Sequence, residues 1–156
     1  MKEEILVSAD PLWMLERVRI ATTDAEIESC FACIQELRPH LEAESFCGRI
    51  RSLQESGYRL AYITELGEVV AVAGYRLMDN LFLGPSLYVD DLVTTAKARS
   101  RGHGAILIRW LKELALDNGC GTLHLDSGVQ RDRAHRFYFD NGFHISSFHF
   151  SQSLLD

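Results

Sequence analysis

The sequence predicts a mixed α/β or α+β sheet with helices packed on its faces. Strand-like segments follow one another without interruption through the middle of the chain, and beyond residue 100 helical and strand-like periods alternate. The 156 residues are 47% hydrophobic and 24% charged with three prolines, the make-up of an ordinary globular domain that buries one core and is too short for two. A single domain over residues 1–156 is therefore expected, with residues 1–15 as an N-terminal extension. The longest apolar run, Val69 to Tyr75, falls far short of the roughly 20 residues of a membrane span. Acidic residues in Met-Lys-Glu-Glu and the Asp10-Pro11 break argue against a signal peptide. These features point to a cytoplasmic protein without a membrane partner.

Glu16 to Thr22 alternates polar and apolar residues and predicts a first strand. Thr23 or Asp24 caps a helix carrying Ile27, Phe31, Ile34 and Leu37 at spacings of three and four; it stops at Arg38 because Pro39 disfavours helical geometry in its predecessor. A weaker helix is expected between Leu41 and Glu55, ended by Gly57. Tyr58 to Glu65 and Val69 to Met78 read as a hairpin turning at Leu66-Gly67-Glu68. A strand from Leu87 to Thr94 follows. From Ala105 the period becomes helical, with Leu107, Trp110, Leu111 and Leu114 on one face and Asn118-Gly119 as the stop. Leu123 to Asp126 is a short strand, Arg131 to Asp140 a helix closed by Asn141-Gly142, and Phe143 to Phe150 a last strand.

Cys30, Cys33, Cys47 and Cys120 lack the spacing of a zinc site and read as free thiols, so no metal is expected. Charge is divided unevenly: 8 lysines and arginines face 16 acids through residue 91, and 8 face 6 beyond it. Lys97, Arg99, Arg101, Arg109 and Lys112 fall in a stretch without any acid. With a pI near 5.5 the chain lacks the broad basic surface of a nucleic-acid binder, so a small phosphorylated ligand is the expected partner of that stretch.

Leu92 to Gly104 runs from a strand end through a loop into a helix N-terminus. The first helical turn leaves amides without partners and carries partial positive charge. Gly102 and Gly104 lack a Cβ and let an anion approach, while Arg99 and Arg101 add formal charge. No Gly-Lys-Ser/Thr follows, and the third glycine of G-x-G-x-x-G would fall at Leu107. Glycines at a helix start are also often a purely steric requirement.

Arg99-x-x-Gly102-x-Gly104 resembles the R/Q-x-x-G-x-G/A signature of the GNAT superfamily of acyl-CoA-dependent N-acetyltransferases. Ala134-His135-Arg136-Phe137-Tyr138-Phe139-Asp140-Asn141-Gly142-Phe143 is similar to a second segment of that family, and the likeness spans about residues 16 to 150. It implies a mixed, mostly antiparallel sheet flanked by helices on both faces. It also implies acetyl-CoA as co-substrate. Arg99, Ser100, Arg101, Gly102, His103 and Gly104 would form the pyrophosphate nest, and Leu92, Val93 and Thr94 would offer main-chain groups to pantetheine. His103, at the variable position, is expected to be a surface side chain. Many relatives carry Asn where this chain has Arg131, so the cofactor contact there does not carry over directly.

Tyr88-Val89-Asp90-Asp91-Leu92 resembles the acid-pair strand of polyamine acetyltransferases. Neighbouring strand residues point to opposite faces, so one of the two acids is expected to face the substrate; Asp90 is chosen as base, with pairing to an arginine as its structural alternative. Tyr138 matches the family's general acid, and Val93 is taken as the amide that meets the carbonyl oxygen. Glu36, Glu42 and Glu44 are candidates for a negatively charged mouth that would suit a polyamine, an aminoglycoside or a lysine side chain; they also fit solvated helix faces. The expected activity is direct acetyl transfer to a primary amine of a small molecule or peptide, without a cysteine intermediate. An acyl-CoA sensor without turnover and a nucleotide-phosphate binder are the alternatives. The closing Phe148-His149-Phe150-Ser151-Gln152 alternates enough to pair in a homodimer or as an edge strand of its own chain.

Overall fold

A computed structural model describes residues 12–155. After a 3₁₀ turn at Leu12–Arg17 come β1 (Arg19–Ile20), α1 (Asp24–Ser29), α2 (Phe31–Leu37), α3 (Ala43–Glu55), β2 (Arg59–Glu65), β3 (Glu68–Asn80) and β4 (Gly84–Thr94). A second 3₁₀ turn at Ala96–Ala98 leads to α4 (His103–Asp117), β5 (Thr122–Leu125) and α5 (Asp132–Asp140). The strands lie in the order β1-β2-β3-β4-β5. Three neighbouring pairs are antiparallel, and β4 and β5, joined through α4, are parallel. This is the mixed, mostly antiparallel sheet that the family resemblance implies.

Thr23 caps α1 with a reciprocal box: Glu26 N–H donates to Thr23 Oγ1 at 3.2 Å, and Thr23 N–H donates to Glu26 Oε2 at 2.9 Å. Two orphan donors are satisfied at once, and the amides of Thr23 and Thr22 together with the Thr22 hydroxyl, all donating to the Glu26 carboxylate, lower its carboxyl to about 2. The expected helix through Leu37 is broken at Cys30 into α1 and α2. The predicted first strand shrinks to two residues because the 3₁₀ turn takes Glu16 and Arg17. The predicted last strand is not formed: residues 143–150 have no regular structure, and Ile145, Phe148 and Phe150 are exposed. Alternation selects a strand only where a neighbour supplies hydrogen bonds and an apolar face. Within the described chain β5 pairs with β4 alone.

Each face of the sheet carries a core. On one, Leu107 and Leu111 of α4 meet Ala61, Ala71, Tyr75, Leu87 and Val89; full burial of each leucine contributes about 1.5–3 kcal/mol. On the other, Ile27, Ile34, Phe46 and Ile50 of α1, α2 and α3 cover Leu60, Tyr62, Val72 and Val93. Leu87 and Val89 face α4, and so does Leu92, which is incompatible with uninterrupted alternation. The register explains it: Tyr75 faces Val89 and Gly74 faces Asp91, leaving Asp90 as the extra residue of a β-bulge.

Cys30, Cys33 and Cys120 are buried free thiols and Cys47 is half-buried. Burial pushes the thiols of Cys30 and Cys33 up to about 12, removing nucleophilic character.

Candidate active site where two strands part

The pairing of β4 with β5 ends at Val89 and Leu125, yet β4 continues to Thr94. The last five residues of β4 thus have β3 on one side and a gap on the other. Thr95 N–H donates to Val70 O at 2.9 Å, which fixes the phase of the ladder. Counting back by twos, Val93 shares its main-chain bonds with Val72, while Leu92 and Thr94 turn their amide and carbonyl groups into the gap. Two of the three expected pantetheine contacts are therefore available. The amide of Val93 points to β3, so Leu92 is better placed to meet a carbonyl in the gap.

The loop after β4 winds through two left-handed residues, Ser100 at φ 64° and Gly102 at φ 83°. Gly102 is the N-cap of α4 and makes no side-chain cap bond. The amides of His103, Gly104 and Ala105 have no acceptor among the described residues, leaving the first turn open to an anion. A Cβ at Gly102 would meet nothing within 4 Å; its glycine serves the backbone turn. A Cβ at Gly104 would lie 3.1 Å from the Phe137 ring, so that glycine serves the packing of α5 against α4.

His103 is not on the surface as expected. It is 2% exposed, and its Nε2 lies 3.0 Å from Glu65 Oε1. Starting the helix at 103 rather than 105 turns the imidazole inward, and burial lowers its pKa against the pull of Glu65. The same glutamate receives Arg101 at 3.0 Å. Glu36 accepts the Ala96 amide at 2.8 Å and lies 3.8 Å from Arg99, and Lys97 pairs with Glu68. Lys97, Arg99 and Arg101, three of the five bases of that stretch, are thus matched by glutamates of α2, β2 and β3.

A cleft of about 250 Å³ opens at the parting of the strands, lined among others by Arg38, Asp90, Leu92, Asp126, Arg131 and Tyr138. The structure therefore brings together Asp90, Leu92, Arg131 and Tyr138, which the sequence predicts from separate segments. The Tyr138 ring stands edge-on to Phe137 and Phe143, with centroids 5.5 and 5.6 Å away. Burial raises its pKa and Arg131 opposes the rise, so the phenol keeps its proton at neutral pH.

The bulge overturns the expectation that Asp90 and Asp91 take opposite faces. Both carboxylates lie on the side of α1, α2 and α3. Asp90 accepts both its bonds from Arg76 Nε at 3.1 Å. Asp91 accepts from Arg38 Nε at 2.9 Å and from Tyr58 Oη at 2.9 Å. Arg38 Nη2 also donates to the Asp90 carbonyl at 3.1 Å, and the Arg76 guanidinium lies over the Tyr58 ring, 5.5 Å from its centroid. Burial raises the Asp90 carboxyl above its ordinary range and Arg76 opposes this. Sequence reasoning missed Arg38, Tyr58, Gly74 and Arg76. The available signals were slight: Arg38 read as a helix end before Pro39, and Gly74 as one small residue in an apolar strand.

The model of the Acetyltransferase (GNAT) family matches residues 21–143. The chain belongs to that family. A relative in Bacillus subtilis, the uncharacterized N-acetyltransferase YhdJ, is 35% identical over 131 residues, covering 83% of this chain and 92% of its own. The aminoalkylphosphonate N-acetyltransferase of Salmonella typhimurium is 28% identical over 88% of this chain and 90% of its own. Among solved structures, AAC(6')-Iy in complex with the bisubstrate analog CoA-S-monomethyl-acetylneamine aligns with a TM-score of 0.73 at 15% identity, over 88% of this chain and 97% of that one. The glucosamine-6-phosphate N-acetyltransferase of Arabidopsis thaliana aligns at 0.70 with 18% identity, over 88% and 98%. This GNAT protein is accordingly an N-acetyltransferase-type acyltransferase by family.

Proposed function

We propose that this GNAT protein transfers an acetyl group from acetyl-CoA to the primary amine of a small molecule by direct attack in a ternary complex. The observation that carries the reading is the single cleft holding Asp90 and Tyr138 where β4 leaves β5. The residues present suit the co-substrate. Open amides of the first turn of α4 suit its phosphates, and the free edge of Leu92 and Thr94 suits the amides of its arm. Acetyl-CoA supplies the activated acyl carbon. The small-molecule acceptors named for relatives support a small amine in place of a peptide.

An alkylamine has a reference pKa near 10.4, so reaching the free base near neutral pH costs about 4 kcal/mol. Asp90 takes that proton; desolvation makes it a stronger base than an exposed carboxylate. The N–C bond forms as the C–S bond breaks; Tyr138 gives its proton to the departing sulfur, and the second proton of the attacking nitrogen returns to the Tyr138 oxygen. The Leu92 amide meets the carbonyl oxygen.

The test is free-thiol release with an amine panel, alongside calorimetric acetyl-CoA binding. Asp90→Asn and Tyr138→Phe should each lower turnover about 10²–10⁴-fold while leaving acetyl-CoA affinity near that of the parent. Failure of the parent to bind acetyl-CoA refutes the proposal. A second reading, a sensor without turnover, is favoured by the two bonds from Arg76 that occupy Asp90; binding without thiol release from any amine would decide for it.

A further inference from the structure

The reading of this site as an acetyl-CoA:amine transferase leaves the acceptor open, and the cleft's charges narrow it. Glu36, Glu42 and Glu44, the acids that would suit a polycation, do not line the cleft. Glu36 is held by the Ala96 amide, and Glu42 and Glu44 are exposed. The charged groups that do line it are Asp90, Asp126, Arg38 and Arg131. Both acids are already engaged: Asp90 by Arg76, and Asp126 by Tyr88 Oη at 2.7 Å and by His149 Nδ1 at 3.4 Å. The arginines are less engaged. Arg38 spends Nε on Asp91 and one Nη2 bond on the Asp90 carbonyl, and its Nη1 has no partner among the described residues. The Arg131 guanidinium has no partner there either.

Arg38 is also fixed in place. Asp91 holds its Nε while receiving Tyr58 Oη on its other oxygen, and Tyr58 is only 2% exposed. An arginine locked on one edge with its other donors facing a cleft is preorganised for a planar or tetrahedral oxyanion. The locked edge belongs to the residue beside Asp90, so the anion site and the base are joined through one main-chain carbonyl.

We propose that the acceptor is a compact zwitterion, an amine carrying a phosphonate, phosphate or carboxylate group, and that Arg38 receives that anionic group while the amine faces Asp90. Arg131, which also lines the cleft, contributes further positive potential. Arg38 is then the residue that sets acceptor specificity, and a diamine, placing its second cation against two arginines, is selected against.

The test compares 3-aminopropylphosphonate, 4-aminobutyrate, butylamine and 1,4-diaminobutane by thiol release with the full chain and saturating acetyl-CoA. The anionic acceptors should exceed both others at least 10-fold in kcat/KM. Arg38→Gln should raise KM for the anionic acceptors 10-fold or more with a smaller change in kcat, and should leave KM for acetyl-CoA and for butylamine near the parent values. Arg38→Lys should recover part of the loss, and Arg131→Gln gives a second measure of the same effect if Arg38→Gln unfolds. Preference for the diamine or for butylamine, or an equal effect of Arg38→Gln on every acceptor, overturns the proposal and leaves the transferase reading standing. Absence of turnover with every amine, with acetyl-CoA bound or not, overturns both.

Discussion

Gly74→Ala is the sharpest single test of how the fold builds this site. A Cβ at position 74 would lie 2.0 Å from Tyr58 Oη and 2.5 Å from Tyr58 Cζ, so the ring must move. Tyr58 is 2% exposed and donates to Asp91 at 2.9 Å. Moving it forfeits a hydrogen bond to a charged group, about 1.5–3 kcal/mol, and overpacks the face beneath α3, about 1–3 kcal/mol. The combined cost of about 2.5–6 kcal/mol is a large part of the roughly 5–15 kcal/mol that keeps a domain folded. At about 2–4 °C per kcal/mol for a chain of this size, Tm should fall by roughly 5–24 °C in a thermal melt followed by circular dichroism. Tyr58→Leu in the same chain relieves the clash, so the double variant should be more stable than the two single effects summed, by more than about 1 kcal/mol. A Gly74→Ala protein within about 1 kcal/mol of the parent by urea denaturation would refute the placement of Tyr58 over β3.

Four further outcomes follow from the same geometry. His103 is held neutral below its ordinary pKa of 6.5, so below that pH the unfolded chain binds more protons and stability falls; the urea midpoint should drop between pH 8 and pH 5.5, and less so in His103→Gln. Gly102→Ala places an L-residue at φ 83° without any clash, which should cost about 1–2 kcal/mol in a melt and weaken acetyl-CoA binding in calorimetry. Because burial raises the Asp90 carboxyl and Arg76 holds it down, kcat/KM should rise with pH through a carboxylate limb above the usual range, and Arg76→Met should move that limb to higher pH. Glu36→Gln removes a carboxylate that competes for the Ala96 amide and Arg99, so the Kd for acetyl-CoA should fall about 3–10-fold; weaker binding would show that Glu36 orders the loop.

The sequence made most elements legible because each carried its own local reason. Thr23 or Asp24 announces the start of α1, Leu66-Gly67 the hairpin, and Asn118-Gly119 the end of α4. What it hid depends on partners distant in the chain. The tail at 143–150 has the alternation of a strand but forms no ladder among the described residues, although β5 pairs with β4 alone. His103 read as exposed from its place at the variable position of the motif, and only Glu65, 38 positions earlier, shows why it faces inward. Arg99 and Arg101 looked like unspent charge until the fold supplied Glu36 and Glu65. Composition along the chain reports how many charges there are; it is silent on which of them neutralise one another.

The bulge at Asp90 decides what the site can do. In a regular strand Asp90 would face α2 and Asp91 would face α4, among Tyr75, Leu107 and Leu111, an apolar setting in which an ion is costly. One inserted residue turns Asp91 back to the side where Arg38 and Tyr58 can satisfy it, and returns Leu92 to the apolar face. The same insertion changes which groups β4 offers to its open edge, since it resets the ladder so that Leu92 and Thr94 turn outward and Val93 inward. Base, anion receptor and the amides of the gap therefore share one cause. A deletion of Asp90 would not simply remove a carboxylate: it would close the bulge, with Tyr75–Val89 and Gly74–Asp91 becoming consecutive pairs and Asp91 staying on the face opposite to Val89, the side of Arg38, so only a substitution that keeps the residue count can separate the chemistry of Asp90 from its part in the fold.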